Sequence, residues 1–316
     1  MNHKYVFGPI GSRRLGISLG VDLVTAKTCT QNCPYCEAGW TTELTLERRE
    51  YVPFSAVTAE LKDVLDKNPE LDCVTFSGAG EPTLNNRIGD VAQFVKTNYP
   101  QYRLVLLTNG SLLGNDEVIR EVEPIDLVIP DLDASNAAEF ELINRPAPGL
   151  TFDKFVAGLK KFCAVHKNPI WLEMFVAPEI NDSNASIARF AALLKTLKAA
   201  KVQLNTLDRP GCDPSIRPAP PTTLRKFITA FEPFIPVETV GSFRYKSPVL
   251  RGAMPPDELS SQVINLARRR QVTRKDITLA LNCDPEFLDR VLNDLLNRGL
   301  IECEKGARGE FFGYFD

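Results

Sequence analysis

The chain alternates short runs dense in β-branched and aliphatic residues with longer stretches whose apolar positions recur every three to four residues. The short runs fall at 17–23, 73–77, 103–108, 126–130, 170–176 and 202–206; the longer stretches fall at 55–67, 87–98, 116–121, 152–166 and 186–200. Continuous apolar runs mark buried strands and a 3.6-residue period marks helices, so the pattern predicts strand and helix in regular alternation. Ser55 and Thr151 stand where helix N-caps are needed, with hydroxyls that can accept orphan backbone N–H groups. Strands that are apolar on both faces belong to a parallel sheet covered on both sides. Six units exceed one βαβ motif and fall short of the eight of a closed barrel. The expected fold is α/β, a partial (β/α)6 TIM-like barrel.

The alternation stops at a proline-rich stretch, 209–223, which can continue neither a helix nor a central strand. A bridging helix is expected at 224–231, followed by irregular chain to Pro256. Three further helices are expected at 258–269, 273–281 and 285–298. Thr273 and Asp276 form a capping-box pattern, Asp284 precedes Pro285 as an N-cap, and Gly299 is placed as a helix stop. Residues 300–304 and 310–315 flank the turn-forming 305–309, the pattern of a β-hairpin. The expectation is therefore a barrel with an N-terminal extension over 1–209, a linker with a helix over 210–256, and a small winged-helix-like domain over 257–316.

Composition narrows the functional classes. A length of 316 residues, 44% hydrophobic and 24% charged, is ordinary for a globular chain of two domains. The net charge of −3 supplies no global field for nucleic acid or an anionic membrane. No apolar run approaches the ~20 residues of a membrane span, and the N-terminus lacks the apolar core of a signal peptide; a cytoplasmic protein with no membrane contact is expected. The winged-helix pattern raises a rival reading, a metal-binding regulator that holds nucleic acid. Against it, residues 257–316 carry nine basic and eleven acidic side chains, and helix 285–298 with its cap has four acids to two arginines. Such a face repels phosphates, so stable DNA binding is not expected.

Of eight cysteines, Cys29, Cys33 and Cys36 form a C-x3-C-x2-C run, whereas Cys73, Cys163, Cys212, Cys283 and Cys303 are scattered. In a reducing compartment such a cluster reads as metal or redox chemistry. Three thiolates can hold three irons of a [4Fe–4S] cluster and leave the fourth open to another ligand. Structural zinc is a second reading, but it wants a fourth protein ligand, and neither His3 nor His166 is adjacent. Unrelated buried thiols are the third.

The run, with Tyr35 directly before its last cysteine, resembles the signature of the radical SAM superfamily. Ser77-Gly78-Ala79-Gly80-Glu81-Pro82, after the second expected strand, is similar to that family's Gly-Gly-Glu motif, with Ala79 as a departure. The resemblance covers roughly residues 15–210. It implies a [4Fe–4S] cluster on Cys29, Cys33 and Cys36, and S-adenosylmethionine held near Tyr35, Gly78, Gly80 and Glu81, with the Glu81 carboxylate facing the methionine ammonium. By the same resemblance Thr108, Asn109, Asp131, Glu173 and Asn205 are cofactor-site candidates, Asp131 toward a ribose hydroxyl. The activity implied is reductive cleavage of S-adenosylmethionine to a 5′-deoxyadenosyl radical, fed by a flavodoxin- or ferredoxin-type donor, with hydrogen abstraction from a substrate. The segment from Gly8 to Asp22 resembles a branch of iron–sulfur oxidoreductases distantly similar to the wybutosine-synthesis enzymes of transfer RNA. Arg13 and Arg14 are candidates to face an anionic substrate, and Cys212 is a candidate catalytic thiol, with a structural role as its alternative. The substrate classes left open are an RNA base, a peptide and a small metabolite.

Overall fold

The computed structural model describes residues 3–240, 255–269, 271–281, 283–306 and 309–313. Most of the irregular bridge before Pro256, Arg270, and the far end of the expected hairpin lie outside the described residues.

The chain opens with an antiparallel hairpin, β1 (Val6–Ser12) and β2 (Gly16–Val21), paired from Val6 opposite Val21 to Ser12 opposite Gly16. A short parallel pair, β3 (Thr28–Cys29) and β4 (Glu43–Leu44), brackets the cysteine loop. Next come α1 (Phe54–Leu65), β5 (Cys73–Phe76), α2 (Ile88–Asn98), β6 (Arg103–Thr108), α3 (Asp116–Glu121), β7 (Leu127–Pro130), α4 (Ala137–Ile143) and α5 (Phe152–Val165). This part of the chain ends with β8 (Trp171–Phe175), α6 (Asn184–Leu194), β9 (Lys201–Asn205), α7 (Pro221–Phe231) and β10 (Val237–Thr239).

Strands β2, β5, β6 and β7 pair in parallel in chain order, as do β8, β9 and β10. Single bridges at Val128–Ile170 and Asp131–Glu173 join the two sheets into one wall. Six of its strands are those the hydrophobic pattern predicts, with bounds within two residues. The pattern missed both edges: β1 adds antiparallel to β2, and β10 adds parallel to β9. Among the described residues no pairing joins β1 to β10, so the wall is open. Every residue of β5 and of β7 is buried, as expected for strands covered on both faces. Helix α1 buries Val57, Leu61 and Leu65, a four-residue spacing that puts all three on one face.

Two cap expectations resolve differently. Thr151 accepts the Lys154 N–H and caps α5. Ser55 lies inside α1, whose N-cap is Pro53; the Glu50 carboxylate accepts the Phe54 N–H at 2.7 Å in its place. The expected helix at 186–200 stops at Leu194, past which the buried face is no longer continued.

The C-terminal part builds a second core from α8 (Pro256–Arg269), α9 (Arg274–Leu281) and α10 (Pro285–Asn297), with Leu259, Val263, Ile277, Leu288 and Leu292 inside it. A three-stranded sheet of β11 (Val272–Thr273), β12 (Glu302–Gly306) and β13 (Gly309–Gly313) covers it, with β13 central. The capping box forms as expected: Thr273 Oγ1 accepts the Asp276 N–H and the Asp276 carboxylate accepts the Thr273 N–H at 3.0 Å. Asp284 caps α10, and Gly299 takes φ +64°, the left-handed turn after a helix. The second core meets the first at β1, where Ile10 packs into it.

Candidate active site

Parallel strands deliver their C-terminal ends to one edge of the wall, and the candidate residues gather there. Asp22 and Gly78 lie just beyond β2 and β5, Thr108 and Asn109 at the end of β6, Asp131 just beyond β7, Glu173 within β8 and Asn205 at the end of β9.

The cysteine loop and the glycine-rich loop meet through Asn109. Its side-chain amide donates to Cys29 Sγ at 3.5 Å and to Thr30 Oγ1 at 2.7 Å, while its backbone N–H donates to Glu81 Oε2 at 2.8 Å. Glu81 is buried, and its other oxygen accepts the Thr83 N–H at 3.0 Å and the hydroxyls of Thr83 and Thr108 at 2.5 and 2.7 Å. Burial nonetheless raises its pKa above the usual carboxylate range. Glu81 thus ties together the ends of β5 and β6, with three donors on Oε1 and one on Oε2. Gly78 and Gly80 both allow close approaches within the chain. At Gly78, with φ +123°, a Cβ would lie 1.7 Å from Asp22 Oδ1; at Gly80 it would lie 1.8 Å from the Thr28 carbonyl oxygen.

Around the cysteines, Cys33 Sγ is within 3.5 Å of Gln31 Oε1, and Cys36 Sγ accepts from Lys27 Nζ at 2.5 Å. Burial pushes the Cys29 thiol up to about 12 and Cys33 well above its ordinary value, each raised further by neighbouring acidic groups. Burial works against the Lys27 charge as well, but Cys36, Cys29 and Cys33 outweigh it and leave the lysine pKa raised. Among the described residues no three cysteine, histidine or carboxylate groups are already gathered at metal-coordination spacing. The donor set still fits an iron–sulfur cluster: three sulfurs from one loop, each electrostatically sensed by the next, beside a buried cation that can offset thiolate charge.

Tyr35 turns its ring onto Phe175, with centroids 3.9 Å apart and planes within 10°, and its hydroxyl donates to Asp133 Oδ2 at 2.5 Å. Asp133 also accepts the Phe175 N–H at 2.8 Å and the Asn144 amide at 3.1 Å, yet burial pushes it up to about 6. Asp131 rises well above the usual range, first through burial and then through the Asp133 and Glu173 carboxylates.

The two arginines and Cys212 have protein partners. Arg14 Nη2 lies 2.5 Å from Glu173 Oε1, which also accepts the Asn205 amide at 2.8 Å. Arg13 reaches Glu37 at 3.5 Å and Asp208 at 3.6 Å. Both candidates for an anionic substrate are held in ion pairs inside the chain. The Cys212 thiol donates to the Cys33 and Pro34 carbonyls at 3.3 and 3.4 Å, and the Asp213 N–H joins them on Pro34 at 2.9 Å. The segment after β9 is thereby buttoned onto the cysteine loop, and burial lifts the Cys212 pKa to about 11. Lys27, Asp22, Asp133 and Arg209 were not singled out from the sequence. The signal of Asp22, Asp133 and Arg209 is tertiary, since each matters through a partner distant along the chain, whereas Lys27 acts within the cysteine loop.

The model of the Radical SAM superfamily matches residues 23–191. The chain belongs to that superfamily. It is a radical SAM enzyme, and its cofactors are a [4Fe–4S] cluster and S-adenosylmethionine. A Brachyspira hyodysenteriae protein named GTPase Obg is 33% identical over 95% of the chain, which spans 44% of that protein. A UPF0026 protein of Methanocaldococcus jannaschii is 27% identical over 91% of the chain and 90% of its own length. Among solved structures, a radical SAM methyltransferase from Sphaerobacter thermophilus is similar with a TM-score of 0.55 at 17% identity, over 72% of this chain and 66% of that one. TYW1 with a lysine–pyruvate adduct bound is similar at 0.50 and 16%, over 72% and 76%. Streptococcus suis SuiB bound to S-adenosylmethionine is similar at 0.52 and 14%, over 70% and 50%. No described helix is long and apolar enough to cross a membrane.

Proposed function

We propose that Cys29, Cys33 and Cys36 hold the [4Fe–4S] cluster, and that S-adenosylmethionine lies across the strand ends from Gly78–Glu81 to Glu173 and Asn205, where it is cleaved so that a 5′-deoxyadenosyl radical can abstract hydrogen from a substrate. The observation that carries this reading is Asn109, whose side chain touches Cys29 while its backbone is held by Glu81, so the two motifs form one site. When bound, the cluster supplies the electron for that cleavage, delivered by a flavodoxin- or ferredoxin-type donor in a reducing cytoplasm. The chain's own residues do the placing. Glu81 and Thr108 fix the glycine loop, Asp131 is the acceptor for a ribose hydroxyl, and Asp133 locks Tyr35 against Phe175 under the adenine side of the site. Arg14, Glu173 and Asn205 form one linked polar face opposite.

We read the open wall as a partial (β/α)6 barrel over 1–209, joined through 210–256 to a winged-helix-like domain over 257–316; the separate core of the last part supports the second boundary, while the first core runs on into α7 through Phe227 and Phe231. The regulator alternative gains no support, because cations of that domain such as Arg274 and Arg298 are paired with Asp289, Glu310 and Asp294. With Arg13 and Arg14 both in ion pairs, the mouth favours a neutral heterocycle over a small acid. An RNA base is the substrate class we propose, ahead of a peptide. The test is air-free reconstitution followed by dithionite and S-adenosylmethionine, with 5′-deoxyadenosine measured in the presence of transfer RNA or peptide pools. Native chain should release the nucleoside, and more of it with transfer RNA. Cys33→Ala should lose both the cluster and the nucleoside; a variant that kept both would overturn the assignment, and stimulation by peptide alone would overturn the substrate class.

A further inference from the structure

The C-terminal domain reaches the glycine-rich loop through one buried carboxylate. Asp22, the first residue past β2, accepts the Ala79 N–H on Oδ1 at 3.0 Å. Its other oxygen accepts from Arg269 Nε at 2.6 Å, and Arg269 is the last residue of α8. The arginine is itself fixed on several sides. Its Nη1 donates to the Asn265 carbonyl at 2.9 Å and its Nη2 to the Lys4 carbonyl at 2.8 Å, and the guanidinium lies over the Phe7 ring at 4.5 Å. Gly78 leaves room for this arrangement, because any side chain there would occupy the Asp22 carboxylate's place.

A second tie runs to the other motif. Arg209, on the segment after β9, donates to Asp276 Oδ2 and to the Gln271 carbonyl at 2.7 Å each, and its Nε lies 3.4 Å from Glu37, the residue after Cys36. Each connection has a buried side chain at its centre, Asp22 or Arg209, where a charge-assisted bond keeps its geometry better than on the surface.

We propose that the C-terminal domain sets the conformation of the Ser77–Pro82 loop for S-adenosylmethionine, and that Arg269 is the positioning residue that does so through Asp22 and the Ala79 N–H. The inference rests on the reading of that loop as part of the S-adenosylmethionine site. It assigns the domain a function in cofactor binding even where it never touches the cofactor. The coupling is positional: Arg269 orients the Asp22 carboxyl, Asp22 holds the Ala79 peptide, and the Ala79 peptide sets the carbonyls on either side of it.

The test uses the full chain with its cluster reconstituted air-free, comparing Arg269→Gln, Asp22→Asn and the double variant. Iron and sulfide content, the S-adenosylmethionine dissociation constant by equilibrium dialysis, and the change in the reduced-cluster electron paramagnetic resonance signal on adding S-adenosylmethionine are measured for each. Arg269→Gln should bind S-adenosylmethionine about ten-fold more weakly with iron content unchanged, within the usual range of coupling between linked sites. The double variant should be no weaker than the worse single one, as expected of residues acting in series. Arg269→Lys should recover part of the affinity, and it replaces Arg269→Gln in the comparison should the latter not fold. Gly80→Ala, whose Cβ would meet the Thr28 carbonyl, separates the two levels of the argument. If Gly80→Ala binds S-adenosylmethionine normally, the reading of the loop falls. If Gly80→Ala loses binding while the Arg269 and Asp22 variants keep native affinity, the positioning role of the C-terminal domain falls alone.

Discussion

The Lys27 ammonium lies 2.5 Å from Cys36 Sγ and 2.9 Å from the Gly39 carbonyl oxygen, with 7% of the residue exposed. A buried ammonium needs a counter-charge, and here the neighbours are sulfurs. Added electrons make an iron–sulfur cluster more negative, so a fixed cation hydrogen-bonded to one of its ligands favours the reduced form. Lys27→Met keeps the length of the stem and removes the charge. It should lower the cluster's midpoint potential by about 60 mV or more, the equivalent of losing one charge-assisted hydrogen bond of about 1.5 kcal/mol. Potentiometry followed by electron paramagnetic resonance reads this directly, and Lys27→Arg should stay near the native value. Equal potentials in Lys27→Met and native protein would show that the ammonium does not act on the cluster.

Glu81 leads to a prediction about stability as well as binding. Oε1 accepts three donors and Oε2 one, so Glu81→Gln would turn an amide N–H₂ onto at least one of those donors and leave it unsatisfied. Leaving buried donors in that state costs about 1–3 kcal/mol. The melting temperature of the cofactor-free chain should fall by several degrees, on the scale of about 2–4 °C per kcal/mol for a domain of this size. A carboxylate whose sole partner was a bound ammonium would leave that melting temperature unchanged.

How far the sequence disclosed this site follows from the range of the interactions involved. The cysteines and Gly78–Glu81 are legible because their spacing along the chain is itself the chemistry. Strand β6 and helix α3 are legible because a pure apolar run and a clear polar cap, Asn115, fix their ends locally. Strand β1 reads Val-Phe-Gly-Pro-Ile-Gly-Ser, with no alternation to reveal it, and forms because β2 offers a free edge. Arg269 and Asp22 are 247 residues apart, and no local pattern distinguishes that arginine from its neighbours in a basic run. Glu81 and the two arginines show the same limit, since the intrachain partners their burial demands lie on other elements and leave no local pattern.

The carboxylates beyond β7 predict a pH dependence. Asp133 is pushed up to about 6 and Asp131 well above its ordinary value, both chiefly by burial. A carboxyl whose pKa is higher folded than unfolded stabilises the fold fully below its unfolded pKa, and that contribution is lost as pH rises through the folded value. Asp131→Asn removes one such group. The variant should gain stability relative to native protein as pH is raised from about 4 to 7, with little difference at the acid end. Paired denaturation curves for the two proteins across that range measure it, and a constant difference at all pH values would contradict the assignment.

Arg209 is 2% exposed where the two cores meet and joins both sides: it donates to Asp276 and the Gln271 carbonyl of the C-terminal domain and is ion-paired with Glu37 of the cysteine loop. Removing one partner of a buried pair leaves the other charged without compensation, which costs about 3–5 kcal/mol. Arg209→Met fills the same volume without the charge and should therefore destabilise the chain by about 3 kcal/mol, since Asp276 keeps the Thr273 N–H. Part of that loss should return in Arg209→Met/Asp276→Leu, in which no buried carboxylate is left behind. The domain contact should also loosen, so hydrogen exchange at β11 and at the start of α9 should quicken more than exchange in β5 or β6. Uniform acceleration across both cores would instead assign Arg209 to global stability and not to the junction between the cysteine loop and the C-terminal domain.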